Sequence, residues 1–311
     1  MSLSRFLPTN LEIDFLGKRW FALVFSGLLL ASSIAIALVN GLNFGTDFKG
    51  GILMEIQTLV GPADLAEMRT TLSALDIGDV NLQRFGAVNE VLITIGQPEN
   101  VEGAVKSTID KIHKALGEDI EYRRTEFVGP VVGQELIKAG VLAVVFSLGA
   151  MLLYIWFRFE WQFGIAAIAA LAHDIIATLG LFALTQMEFN LSTVAAVLTI
   201  AGYSINDTVV VFDRVRENVR KYKTMKIAPL LNKSINEMLS RTILTSVTTL
   251  IALAALWVFG GEVIRGFTIA LAWGVVIGTY SSMFVAAPLV MMMNIRKSSV
   301  FDAEKAKLAT K

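Results

Sequence analysis

The residue whose placement most calls for chemistry is Asp207. It lies in Ala201-Gly-Tyr-Ser-Ile-Asn-Asp-Thr-Val-Val-Val-Phe212, a stretch otherwise apolar or small, roughly 10 Å from the end marked by Asp213 and Arg214. A carboxylate held at that depth in a bilayer costs about 2.5–3.5 kcal/mol by insertion scales, so something must offset it. Thr199, Tyr203, Asn206 and Asp207 fall at i, i+4, i+7 and i+8, spacing that predicts one polar helix face turned toward a bundle interior. Arg241, Thr245, Thr248 and Thr249 repeat that spacing in the next apolar segment. Arg241 enters from the same side at matching depth, so a direct Asp207–Arg241 pair is expected. If the guanidinium swings away, the carboxylate should take a proton; if it returns, the proton should leave. The alternative is a static pair that fixes helix packing. A buried pair is a poor source of stability, which favours the relay.

Weaker signals accompany it. His173 and Asp174 sit near the middle of another apolar segment and are expected to extend a polar network rather than transfer protons directly. Asp47, in the glycine-rich Asn43–Gly51, is expected to help turn the chain, with an ion entrance as the second reading. Gly274, Gly278 and Ser282 form a small-xxx-small ladder suited to close helix packing. The sequence has no phosphate loop, no cysteine and no His-Glu-x-x-His, and only two histidines, so neither an enzyme nor a metal centre is expected and no cofactor is implied. Net charge is zero, which predicts no nucleic-acid partner.

The elements that must hold these residues are membrane helices. Of 311 residues, 54% are hydrophobic and only 17% charged, against roughly 25% charged in soluble domains. The apolar residues form blocks near the ~20 residues a span needs. Six qualify: Trp20–Val39, Ala139–Phe157, Phe163–Met187, Leu191–Phe212, Arg241–Phe259 and Phe267–Asn294. The first is read as an uncleaved anchor. Arg5, Lys18, Arg19 and Arg158 fall on one side of the membrane. Arg214, Arg216, Arg220, Lys221, Lys223, Lys226, Lys233, Arg296 and Lys297 fall on the same side, which predicts that it is the cytoplasm and holds both termini. The expected division is residues 1–39 for the N-terminus and first span, 40–138 for an extracytoplasmic domain, and 139–297 for a five-helix bundle with a basic loop at 214–240. A cytoplasmic tail at 298–311 completes it. That loop is read as topogenic, with contact to anionic lipid or a cytoplasmic partner as a secondary role.

Between the first two spans the periodicity changes. Ile52–Gln57, Val80–Phe85, Val91–Ile95 and Asp119–Val128 read as strands, with Gly86–Glu90 as a hairpin turn. Ala63–Ala74 and Val101–Leu116 read as helices. The order βαββαβ predicts a small α+β, ferredoxin-like domain.

Several stretches carry a family resemblance. They are Asn43–Gly51, Val128–Leu136, Arg158–Trp161, Ala172–Asp174, Glu188–Leu191, Thr199–Asn218, Ser240–Thr242 and Gly278–Ser282. In order and in content they resemble the SecD/SecF family of protein-export membrane proteins, in its smaller-subunit branch, within the resistance-nodulation-division superfamily. The resemblance implies a bacterial inner-membrane location with residues 40–138 periplasmic. It implies a larger sister subunit, SecD, together with the SecYEG channel, a translocating preprotein and, as a further candidate partner, YajC. It also implies that proton or sodium motive force drives a late stage of translocation, with Asp207 and Arg241 as the coupling residues. The competing classes are an ion-coupled exporter of lipids or small molecules on the same fold, and a translocon scaffold without ion coupling.

Overall fold

The computed structural model describes residues 12–84, 87–96, 101–117, 119–261 and 264–293. Arg5, Arg296, Lys297, the tail 298–311 and the start of the hairpin at 85–86 lie outside the described residues.

Among the described residues, six helices are long and apolar enough to cross a membrane. Helix α1 spans Arg19–Asn40, α5 Pro130–Arg158, α6 Trp161–Thr185, α7 Leu191–Lys221 and α8 Ile227–Phe259. The sixth is composite: α9, Arg265–Ser281, passes through a widened π turn at Ser282–Ala286 into α10, Ala287–Met292. Pro288 accounts for the π turn, because its ring opposes the carbonyl four residues back and it donates no hydrogen bond.

Small residues decide how closely the helices pack. Gly274, Gly278 and Ser282 meet Ile200, Ser204 and Thr208, two rows with the same spacing. A Cβ on Gly278 would lie 3.1 Å from that of Ser204, and one on Gly274 would overlap Ile200. Ser282 and Thr208 share a 2.8 Å hydroxyl bond. Helix α1 approaches α6 in the same way, with Ser33 against Gly180.

Helices α7 and α8 run well past their apolar sections. The segment 214–240, expected as a loop, is helical except for the turn at Tyr222–Lys226. Its charges hold the extension together. Glu237 accepts from Arg214 and Asn218, each at 2.6 Å, and pairs with Lys233 at 3.2 Å. Phe15 and Leu16 are buried against this extension, and Asn232 and Asn236 bond the backbone of Leu16 and Ile13.

Between α1 and α5 lies the βαββαβ unit: α2 (Thr46–Lys49), β1 (Gly51–Thr58), α3 (Leu65–Ser73), β2 (Val80–Arg84), β3 (Glu90–Gly96), α4 (Val101–Leu116) and β4 (Ile120–Val128). The strands form one antiparallel sheet in the order β2-β3-β1-β4, the ferredoxin-like arrangement. Alternation places Ile52, Met54, Ile56, Val91, Ile93 and Ile95 on one face, where they meet Met68 and Leu72 of α3 and Ile112 of α4. The four-residue α2 was not expected. It ends in Gly50 (φ 75°) and Gly51 (φ 144°), and a Cβ on Gly51 would strike the carbonyl of Ile95. Both glycines are therefore required by backbone geometry.

Candidate functional site

Two polar clusters lie inside the helical bundle, and helical rotation explains which residues reach them. At roughly 100° per residue, Thr199, Tyr203 and Asn206 of α7 fall within a narrow sector. Ser204 and Thr208 lie well round from it, and Asp207 sits on the border. Helix α8 repeats the pattern, with Arg241, Thr245 and Thr248 in one sector and Thr242 and Ser246 round from it. The structure turns the second sector of each helix inward. Ser204, Thr208, Thr242 and Ser246 are buried, whereas Thr199, Asn206, Arg241, Thr245 and Thr248 are exposed. The polar faces expected to look into the bundle therefore look out of this chain, on both helices.

Asp207 is buried at 8% exposure. Its Oδ1 accepts from Thr242 at 2.8 Å, and its Oδ2 has no hydrogen-bond partner. The expected direct pair with Arg241 is not formed: no Arg241 nitrogen comes within 4.0 Å of the carboxylate. The reason is rotational. Arg241 lies one position before Thr242, so the residue that faces Asp207 across the helix contact is the threonine. Tyr203 donates to Ser246 at 3.3 Å, and Ser246 bonds Thr279 at 2.7 Å, which extends the polar line to α9. Thr245 instead bonds carbonyls of its own helix, those of Arg241 and Thr242. Among the described residues, no hydrogen bond engages the exposed Asn206 side chain.

The second cluster centres on Asp174, the most enclosed acid of the bundle, at 0% exposure. Its Oδ2 accepts from Ser204 at 2.5 Å and Ser281 at 2.7 Å, and its Oδ1 lies 3.0 Å from His173 Nδ1. One carboxylate thus joins α6, α7 and α9. His173 Nε2 is buried without a partner, and its ring lies 6.0 Å from that of Tyr280. The Tyr280 hydroxyl in turn bonds Ser26 of α1 and donates to the Ala22 carbonyl. Sequence reading missed Ser204, Ser281, Thr242, Ser246 and Thr279. Their spacing relative to Asp207 and to the Gly274–Ser282 ladder was the available signal. Among the described residues, no three His, Asp or Glu side chains converge as a metal site would need.

Asp47 lies at the other end of the bundle. Its Oδ2 accepts from the Leu191 N–H at 2.9 Å, and Asn190 accepts from Thr193 at 3.0 Å, so two side chains cap the start of α7. Phe44 and Phe189 bridge the same junction. Glu188, beside Asp47, receives Gln83 of β2 at 3.5 Å and so links sheet to bundle. Burial, with the Asp47 carboxylate second, holds Glu188 above the ordinary glutamate range. An acid raised in the fold contributes stability below its unfolded value and loses it as pH rises through the folded one. Thermal melting followed by pH should show the junction weakening as pH rises through and above the ordinary glutamate range. Glu188→Gln should flatten that dependence, whereas an unchanged profile would exclude Glu188 as its source.

Comparison with known proteins bears on the whole arrangement. Residues 108–296 match the family described as protein export membrane protein SecD/SecF, C-terminal, and residues 36–58 match the SecD/SecF GG motif. The second match contains the Gly50–Gly51 pair. The chain is 46% identical over 297 residues to a protein translocase subunit SecF from Rickettsia rickettsii, covering 94% of this chain and 96% of that one. It is also 46% identical over 297 residues to a SecF subunit from Rickettsia prowazekii, covering 94% of each. The crystal structure of SecDF, a translocon-associated membrane protein from Thermus thermophilus, superposes with a TM-score of 0.78 at 34% identity. That match covers 95% of this chain and 40% of the SecDF chain. With its six membrane helices, its ferredoxin-like sheet and these matches along nearly its full length, the chain belongs to the SecD/SecF family of protein export membrane proteins.

Proposed function

We propose that this chain is the SecF-type subunit of an ion-driven export complex, in which protonation or ion binding at Asp207 moves the bundle and, through it, the ferredoxin-like domain. The observation that carries the reading is a buried carboxylate with one oxygen left without a donor, at the border of an outward polar stripe. An orphaned buried oxygen is costly. A proton, a cation or a group from a partner would remove that cost, and each would couple to movement.

The stripe supplies the partner's chemistry. Thr199, Asn206, Arg241, Thr245 and Thr248 are exposed on two of the helices long and apolar enough to span a membrane. Polar and ionisable residues in spans face protein or water rather than hydrocarbon, so a second set of polar helices, from a SecD-type subunit, belongs against them. Arg241 then acts from that interface rather than as a fixed partner of Asp207. The SecYEG channel and the emerging preprotein complete the assembly, with YajC as an accessory. Both termini lie in the cytoplasm and residues 40–138 in the periplasm of the inner membrane, where the domain holds the preprotein against backsliding. Each charge crossing the membrane releases about 2.3 kcal/mol per 100 mV, enough to shift a two-state domain equilibrium by about fiftyfold.

The test is translocation of a preprotein into vesicles that carry the complete complex, with and without an ion gradient. Gradient-dependent stimulation is expected, from protons or from sodium, and it should disappear in Arg241→Met, whose side chain is exposed in this chain and whose loss should leave the melting temperature unchanged. Stimulation that persists in Arg241→Met, or gradient-driven efflux of lipid or small molecules with no effect on preprotein, would overturn the reading.

A further inference from the structure

We infer that the cleft between the end of α5 and the extension of α7 binds the phosphate group of an anionic phospholipid in the adjoining leaflet. The cleft encloses about 480 Å³ and is lined by Arg158, Asp213, Arg216, Glu217, Arg220 and Lys221. Four of these six are cations. Arg158 and Arg216 share Asp213, at 2.8 and 3.9 Å. Glu217 is taken by Arg214, at 2.6 Å, from outside the cleft. Glu160 is a third carboxylate facing Arg216. Arg220 and Lys221 have no ion-pair partner among the described residues, so positive charge remains in excess.

The cations are also positioned in advance. The Arg158 and Arg216 guanidiniums lie 5.1 and 5.3 Å from the centre of one ring, that of Phe159. Arg216 Nη1 donates to the Arg158 carbonyl at 3.2 Å. A planar guanidinium fixed in this way suits bidentate contact with phosphate oxygens.

Lipid, rather than a soluble anion, is indicated by what surrounds the cleft. Trp156 and Trp161 flank it at 63% and 53% exposure, and Phe157 at 85%. Exposed tryptophans beside cations mark the level of lipid headgroups. Leu153 and Tyr154 are exposed one turn earlier on α5, where acyl chains below a headgroup at the level of Arg158 would pass. Not every cation of the α7–α8 extension takes part, since Arg214 and Lys233 are engaged with Glu237.

The test uses the full chain in a zwitterionic detergent, with bound lipid counted by native mass spectrometry. Phosphatidylglycerol should bind in preference to phosphatidylethanolamine, and millimolar inorganic phosphate should not displace it. Arg220→Gln with Lys221→Gln, both at exposed positions, should weaken phosphatidylglycerol binding about thirtyfold, taking each cation near a surface at its usual worth. Lys223→Gln with Lys226→Gln removes equal charge from the adjoining turn and should change binding less than threefold. Equal losses in the two variants would reduce the effect to diffuse charge and overturn the site. Equal binding of the two lipids, or displacement by free phosphate, would overturn the lipid assignment.

Discussion

Asp207→Asn should reduce gradient-driven export to the level seen with no gradient while leaving the bundle folded. The asparagine side chain has nearly the same shape, and its carbonyl oxygen can still accept from Thr242, which now bonds Oδ1 at 2.8 Å. The amide nitrogen replaces the oxygen that lacks a partner. Packing is therefore preserved, and the change in stability should stay within about 1 kcal/mol. What is lost is the capacity to gain and release a charge. The readout is preprotein translocation by the complete complex with and without a gradient, with the melting temperature as the control. Stimulation equal to that of the unsubstituted protein would end the coupling role of this acid. Asp207→Glu should restore part of the stimulation, because a longer acid still titrates even though it sits less well against Thr242.

The largest stability effect is expected at Asp174. Its carboxylate receives Ser204, Ser281 and His173 from three directions in a site with no solvent exposure. Asp174→Ala deletes the acceptor and leaves those groups facing a void. At about 1–3 kcal/mol for each buried polar group left unsatisfied, a loss of about 3–5 kcal/mol is expected, comparable with breaking a buried pair. Asp174→Asn should cost much less, about 1 kcal/mol, because serine hydroxyls can rotate to accept from the new amide. Thermal unfolding in detergent distinguishes the two. If alanine were tolerated as well as asparagine, the carboxylate would not be the junction of α6, α7 and α9.

Much of the fold follows from pattern alone. Six apolar blocks and a period-two, period-3.6 alternation between the first two of them lead to six membrane helices and the β2-β3-β1-β4 sheet. Those signals are legible because bilayer thickness and strand pleat impose fixed lengths and periods. The interior of the site was harder to read. Asp207 stands out because charge in a membrane is costly, whereas Ser204, Thr242 and Ser281 are small hydroxyl residues that membrane helices carry at little cost anywhere. Spacing groups residues on a face but does not say which way the face points. For this reason Thr199, Asn206 and Thr245 were expected inside and are found outside, and Arg241 was expected on Asp207, where Thr242 stands instead. Asp47 was read as a turn residue or an entrance, and its observed contact is the cap on α7, made across 144 residues of sequence that no local pattern reports. The helical course of 214–240 was obscured by its charges, which pair along and between helices instead of signalling a loop.

The way the sheet is hung from the membrane has a mechanical consequence. The chain enters at Gly50–Gly51 and leaves at Val128–Gly129 directly into α5, and Gly51 and Val128 are paired neighbours on adjoining strands. Two tethers fixed side by side behave like the knuckles of a door hinge. They favour one swing about the line that joins them, and the Gln83–Glu188 contact between sheet and bundle is the latch that such a swing must open. A small tilt of α5 would therefore be magnified at the far rim of the sheet, as a door's edge sweeps further than its pin.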